Sequence, residues 1–238
     1  MRKDQEIEKD QGFMERPVNR LSFLKFSGAA VAIAGLTIAG CKKDDDTTPT
    51  PTPSNMVDLG SGDTGVLNYA YALEQLEAAF YTQVVANPYT GMTAAESSLL
   101  NDIQKHEVIH RDFLKAALGS SAIIGLTVNF STINFTSRAS VLGAAKAFED
   151  LGVSAYNGAG KLISDPNYLL LAGKIVSVEA RHAAAIRDLL NPNSADFAGD
   201  DVVTVTDGLD VSRTPSQVLA IAGAYITNLL DASHLPTS

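Results

Sequence analysis

Two Glu-x-x-His motifs, each set into an apolar helical stripe, constrain this chain more than any other feature. Glu107 and His110 form the first pair, and Glu179 and His182 form the second. Side chains three residues apart point to the same side of a helix. Apolar residues precede and follow each pair at helical spacing, which predicts that this side is buried. Buried carboxylates without partners cost several kcal/mol each, so cations or protons must compensate them.

Apolar residues recur every three or four positions in four long segments, which predicts four helices. These run over about residues 64–86, 93–118, 137–158 and 165–190. Thr93 with Glu96 predicts a capping box, Gly119 a helix stop, and Asp165-Pro166 a cap followed by a first-turn proline. Short loops join the first helix to the second and the third to the fourth, whereas residues 119–136 form a long crossover. This connectivity predicts an all-α four-helix bundle.

The first and third helices add carboxylates to the same interior. One carboxylate from each of two helices, with a Glu-x-x-His pair from each of the other two, is the ligand set of di-iron and di-manganese bundles. The predicted metal ligands are Glu74, Glu107, His110, Glu149, Glu179 and His182. Glu77 is kept as a second candidate on the first helix, although Gly152 stands at the position of the third helix where Glu77 would repeat.

An internal repeat supports a near-symmetric site. Tyr81 follows Glu74 by seven residues, Tyr156 follows Glu149 by seven residues, and each pair precedes one Glu-x-x-His motif. Tyr81 and Tyr156 are candidates for hydrogen bonding to ligands or for electron donation; core packing with a satisfied hydroxyl is an equal alternative.

The ligand types favour two iron ions, with manganese as the alternative. Carboxylate oxygens with a minority of imidazole nitrogens suit both metals, whereas structural zinc sites prefer cysteine and histidine. His106 lies about 100° around the helix from Glu107 and is interpreted as structural. His234 lies in the tail and is interpreted as solvated.

Residues 1–60 are predicted to be a leader and a tether. Basic residues precede an uncharged run over residues 26–40, which is shorter than the roughly 20 residues of a membrane span. The run ends in Leu-Thr-Ile-Ala-Gly before Cys41, which resembles a bacterial lipobox whose cysteine is lipidated. A plain signal peptide with an incidental cysteine is the alternative. The expected domains are a signal peptide (1–40), lipidated Cys41 with a Pro/Thr linker (41–60), the bundle (61–190), and an acidic loop with a last helix (191–238).

Two weaker resemblances concern export. Residues 19–25 look like a twin-arginine signal, although Leu21 stands where the second arginine belongs, and residues 41–46 are similar to the tether of surface-exposed Bacteroidota lipoproteins. The expected location is the outer membrane, at its periplasmic face or the cell surface, and a homodimer stays open. A net charge of −9 without a basic stripe argues against a nucleic-acid partner.

Three connecting segments receive less specific predictions. Residues 127–130 and 133–135 of the crossover are expected to lie extended across the bundle, and a last helix is expected over about residues 215–231. The acidic segment before that helix is interpreted as a solvated loop, with binding of a partner or cation as the alternative. Its acidic residues are Asp196, Asp200, Asp201, Asp207 and Asp210.

The bundle segments resemble the ferritin-like superfamily, and more narrowly bacterial ferritin-like proteins related to desiccation-associated proteins. The resemblance is carried by residues 68–81, 106–111, 149–159 and 179–183. It implies a ferritin-like four-helix bundle with a long crossover between helices 2 and 3 and a C-terminal extension. The ligand set predicts that the chain binds a di-iron centre and oxidises iron or reacts with O2 or peroxide. A non-catalytic surface, stress-protection or interaction protein is the alternative.

Overall fold

The computed structural model describes residues 55–237, which are mainly helical. The helices are α1 (Gly62–Ala86), α2 (Ala94–Leu118), α3 (Arg138–Ala159), α4 (Pro166–Leu190) and α5 (Pro215–Ala222). Two short strands, β1 (Met56–Asp58) and β2 (Leu229–Asp231), pair in parallel. The predicted signal peptide, Cys41 and the linker as far as residue 54 lie outside the described residues. Among the helices of residues 55–237, none is long and apolar enough to span a membrane.

Capping residues in the sequence set the ends of the bundle helices. Thr93 accepts a hydrogen bond from the Glu96 backbone N–H, and the Glu96 carboxylate accepts one from the Thr93 backbone N–H, so the capping box is present. Asp165 caps α4 ahead of Pro166, and Gly119 follows α2 with a φ of 56° that glycine adopts without strain. The four predicted bundle helices are therefore confirmed to within two residues at each end.

The bundle consists of two helical hairpins packed on each other. α1 lies along α2, α3 lies along α4, and α1 also contacts α3. α1 is buried nearly all round, as is α3 from Phe148 onwards, whereas α2 and α4 bury one side and expose the other. A large apolar cluster surrounds Phe80 and Phe148. A smaller cluster, around Leu67, Leu114 and Ile175, lies towards the beginning of α1.

The C-terminal segment differs from the helix predicted over residues 215–231. α5 ends at Ala222, and Leu229–Asp231 pairs with Met56–Asp58 at the other end of the described chain. This pairing satisfies backbone groups that neither extended segment satisfies alone. No regular strand forms in the crossover, residues 119–136: Val128 makes a single antiparallel bridge with Ile226, and Phe130 enters the large cluster.

The acidic segment has all five of its named aspartates exposed, as expected of a solvated loop, and it is also attached to the bundle at one point. Arg187 of α4 is buried and makes two hydrogen bonds to Asp150 of α3, at 2.8 and 2.7 Å. The same guanidinium makes two more to Asp201, at 2.9 and 2.8 Å, and another to the Asp196 carbonyl. Because a planar guanidinium can bind two carboxylates at once, Arg187 joins the segment to both helices of the second hairpin.

Gly158 of α3 provides a second attachment point for the C-terminal region. A Cβ atom at Gly158 would lie 1.8 Å from the backbone oxygen of Arg213. We expect Gly158→Ala to lower the free energy of unfolding by about 1–3 kcal/mol, because the backbone there must move. Gly143→Ala is the matched control on the same helix, since a Cβ there meets nothing within 4 Å. Urea denaturation of both variants measures the difference, and equal effects would contradict the close approach.

Candidate metal centre

The six predicted ligands converge at the centre of the bundle. Their donor atoms form two groups, and within each group all the atoms lie within 4.8 Å of one another. The first group contains Glu74, Glu107, His110 and Glu179. The second group contains Glu107, Glu149, Glu179 and His182. All four carboxylates have no exposed surface, and the two histidines are nearly as buried. We call these sets the first group and the second group.

Glu107 and Glu179 belong to both groups and direct one oxygen into each. Glu179 places Oε1 2.7 Å from His110 Nδ1 and Oε2 3.5 Å from His182 Nδ1. Glu107 places Oε1 2.8 Å from His182 Nδ1 and Oε2 3.7 Å from His110 Nδ1. A carboxylate that presents one oxygen to each group can bind a cation at both.

Glu74 and Glu149 each serve one group and are each held by a tyrosine of the other hairpin. The Tyr156 hydroxyl donates a hydrogen bond to Glu74 Oε1 at 2.6 Å, and the Tyr81 hydroxyl donates one to Glu149 Oε1 at 2.5 Å. The Oε2 atoms of these glutamates lie 3.6 Å from His110 Nδ1 and His182 Nδ1, respectively. The repeat in the sequence thus becomes an exchange of hydrogen bonds between the hairpins.

The hydrogen bonding of the site supports a cation. Most of the inward-facing donor atoms are buried and have no partner in hydrogen-bond geometry. They are Glu74 Oε2, both oxygens of Glu107, His110 Nδ1, Glu149 Oε2, both oxygens of Glu179 and His182 Nδ1. Buried polar atoms in native proteins are nearly always satisfied, and oxygen and nitrogen atoms that converge outside hydrogen-bond geometry fit a metal ion. The residues present therefore fit a metal at each group.

Without a metal, protons must balance the charge of the centre. Burial and the neighbouring Glu179 carboxylate raise the pKa of Glu74 well above its ordinary value, and burial raises that of Glu149 to about 8. Burial opposes the charged form of both histidines, but the surrounding carboxylates outweigh it and raise each histidine pKa to about 12. Burial likewise raises the pKa of Glu107, but His110 and His182 outweigh it and lower the value to about 2.

These shifts predict that metal binding weakens as the pH falls. Glu149, with a pKa of about 8, and both histidines, at about 12, carry protons that a cation must displace. We expect the ferrous affinity to decrease as the pH is lowered through 8, and protons to be released on binding in weakly buffered solution. Isothermal titration in buffers of different ionisation enthalpy measures the release; binding without release would contradict the protonation of the site.

Residues 62–192 match the family model of the ferritin-like domain. This stretch is more than half of the 238-residue chain, and it contains α1 to α4 with all six predicted ligands. The chain belongs to the ferritin-like domain family. A search of the curated proteins found no match.

Glu77 of the ferritin-like domain lies outside both groups. It is buried, and its Oε1 atom would lie only 3.0 Å from a Cβ at Gly152. Gly152 is the repeat-related position on α3, so the two positions face each other and cannot both carry long side chains. Burial, followed by the neighbouring Glu179 and Glu107, raises the pKa of Glu77 well above its ordinary value.

His106 has a role that sequence reasoning missed. Its Nδ1 lies 2.9 Å from His182 Nε2, and the planes of the two rings are nearly parallel, at 9° to each other. Nδ1 of His182 faces the second group, so a hydrogen bond on Nε2 fixes the orientation and tautomer of the ring. This contact with a predicted ligand adds an orienting role to the interpretation of His106 as structural. The sequence contains only a weak indication of this contact. His106 adjoins the predicted ligand Glu107, but the residue it contacts, His182, lies on α4 and not on its own helix.

We expect His106→Ala to weaken metal binding by about tenfold, because the His182 ring loses its orienting partner. His106→Gln, which retains a side-chain acceptor, should restore much of the affinity. His234→Ala is the control, since His234 lies beside Asp58 and far from the centre in sequence. Competition with a metallochromic chelator measures all three variants, and unchanged affinity in His106→Ala would contradict the role.

Proposed function

We propose that this chain is a membrane-anchored ferritin-like protein that binds two iron ions and reacts with O2 or peroxide. One observation carries the proposal: the buried donor atoms of six residues face one another in two groups that share Glu107 and Glu179. Each group combines three carboxylates with one imidazole, a donor set that suits iron first and manganese second.

When bound, a pair of ferrous ions supplies two electrons, which with two protons reduce one O2 to hydrogen peroxide or one peroxide to two waters. The residues of the chain hold and shield the site. Glu107 and Glu179 would hold both ions, because each presents one oxygen to each group. Tyr81 and Tyr156 restrain Glu149 and Glu74, and burial keeps bulk water away from all of the carboxylates.

The proposed location depends on the sequence before residue 55. In this proposal the lipobox-like segment directs lipid attachment to Cys41, and the Pro/Thr-rich residues that follow tether the bundle to the membrane. Display from a membrane favours iron oxidation or detoxification outside the cytoplasm over closure into a storage shell. Cys41→Ala is the test: incorporation of labelled fatty acid and recovery in the membrane fraction should both be lost.

Ferrous titration of the full chain tests the activity. Anaerobic titration should saturate near two ferrous ions per chain, and admission of air should oxidise them with a rise in near-ultraviolet absorbance. A Glu107→Gln variant under the same conditions is the control for adventitious iron. Absence of binding overturns the proposal. Two bound ions without oxidation would favour the alternative, a non-catalytic surface or stress-protection protein with a structural metal.

A further inference from the structure

Residues 203–210 of the acidic segment form a small hairpin with an exposed apolar tip. Val203 and Asp210 form an antiparallel bridge, and the Thr204 backbone N–H donates a 2.9 Å hydrogen bond to the Leu209 carbonyl. Val205 is 77% exposed and Leu209 is 65% exposed, the two highest values among the large apolar side chains of residues 55–237. Aspartates surround this tip in the sequence. An exposed apolar patch with a polar rim is typical of an interaction site.

Hydrogen bonds hold the hairpin in place. At its base, the buried Arg187 guanidinium binds the Asp201 carboxylate through two hydrogen bonds. At its tip, the Asp207 carboxylate accepts hydrogen bonds from the Leu209 backbone N–H and the Thr204 hydroxyl. A surface that is ordered before contact loses less conformational entropy when it binds. The tip is therefore preorganised for docking.

The charges of α4 and of the acidic segment are opposite. From residue 188 to residue 212 the chain contains six aspartates and no lysine or arginine. On α4 before residue 188, the exposed charges are Lys174 and Arg181, because Glu179 and Arg187 are buried. Within residues 55–237, neither Lys174 nor Arg181 forms an ion pair. Both cations are free to pair with another molecule.

The basic side of α4 also exposes an apolar residue. Leu170 is exposed and lies four residues before Lys174, so the two share a side of the helix. Arg181 follows Lys174 by seven residues, which is close to two turns. We call Leu170, Lys174 and Arg181 the α4 face. It combines an apolar side chain with cations, whereas the hairpin tip combines apolar side chains with aspartates.

We propose that the hairpin tip of one chain docks on the α4 face of a second copy, and that a two-fold axis repeats this contact in a homodimer. One chain carries both complementary surfaces, and in a two-fold dimer each copy contributes one tip and one face. An interface of ordinary size buries about 1,600 Å² in total, so each tip or face needs to bury only about 400 Å². The net charge of −9 opposes unspecific association, which favours a contact that pairs opposite charges locally. The contact requires no metal and does not rest on the proposed function.

The test reverses each surface separately and then combines the two. The tip variant is Val205→Lys with Leu209→Lys, and the face variant is Leu170→Glu with Lys174→Glu; all four residues are exposed. Ile124→Lys is the matched control, because Ile124 is an equally exposed apolar residue on the crossover. Every full-length sample also carries Cys41→Ala, so that neither lipid nor a disulfide joins two chains. Sedimentation velocity measures the mass, and far-ultraviolet circular dichroism checks that each variant is folded.

We expect the wild-type chain and Ile124→Lys to sediment at twice 25.1 kDa at micromolar concentration. The tip variant and the face variant should each sediment as monomers, with a dimer dissociation constant raised at least about 30-fold, because like charges would meet. An equimolar mixture of the two should recover the doubled mass, since lysine tips then meet glutamate faces. Misfolding cannot produce this recovery.

Three results would overturn the proposal. A monomeric wild type would show that the chain does not pair with itself. A dimer that survives in both variants would be held by another surface. A mixture that stays monomeric, or a wild-type mass that grows beyond the dimer with concentration, would refute the two-fold pairing of tip with face.

Discussion

Replacing Glu179 by glutamine is expected to remove iron from both positions of the centre. Glu179 gives one oxygen to each group, at 2.7 Å from His110 and 3.5 Å from His182. Glutamine keeps the shape of the side chain, but its NH2 group cannot act as a ligand and its charge is zero. Iron content after equilibrium dialysis should fall from about two per chain to well below one. Elemental mass spectrometry measures it.

Two variants on α1 sharpen this prediction. Glu74→Gln should lose about one iron, because Glu74 belongs only to the first group. Glu77→Gln should keep both, because Glu77 lies outside the two groups even though it is equally buried. All three are isosteric carboxylate-to-amide changes, so differences among them report on ligation rather than packing. Full iron in Glu179→Gln, or loss of both ions in Glu77→Gln, would contradict the assignment.

Replacing Arg187 by methionine is expected to cause the largest loss of stability. Its side chain is 2% exposed and connects Asp150, whose side chain is 16% exposed, to Asp201 of the acidic segment. Methionine retains an apolar stem but leaves the Asp150 carboxylate without its bidentate partner. Because breaking a buried ion pair leaves an uncompensated charge, we expect the free energy of unfolding to fall by about 3 kcal/mol. Urea denaturation measures this loss.

The control for Arg187→Met is Lys105→Met, which removes a solvent-exposed ion pair. Lys105 and Asp102 are 2.9 Å apart, with side chains 61% and 60% exposed, so Lys105→Met should cause no measurable change. Limited proteolysis adds a second readout, since release of the acidic segment should expose residues 191–213 to cleavage in Arg187→Met alone. Equal stability of Arg187→Met and Lys105→Met would show that the network does not stabilise the fold.

The helices and the ligand set could be predicted because both depend on short-range rules. Thr93 and Glu96 fix a helix start by contacts within four residues, and Glu107 and His110 share a side of α2 because they are three residues apart. Other features depend on distant segments. β2 pairs with β1 across most of the described chain, so nothing within residues 215–231 indicated a strand there.

The sequence by itself determined the four helices, their order, and the six residues that face one another across the bundle. The tertiary structure decided the arrangement within that set. In the folded chain, Glu107 and Glu179 each give one oxygen to each group, and each tyrosine hydroxyl donates a hydrogen bond to a glutamate of the other hairpin. Glu77 faces Gly152, and His106 contacts His182. Periodicity fixes which side of a helix is buried, but the rotation and axial position of one helix against another are set by packing. Contacts of a few ångströms between helices follow from that packing alone.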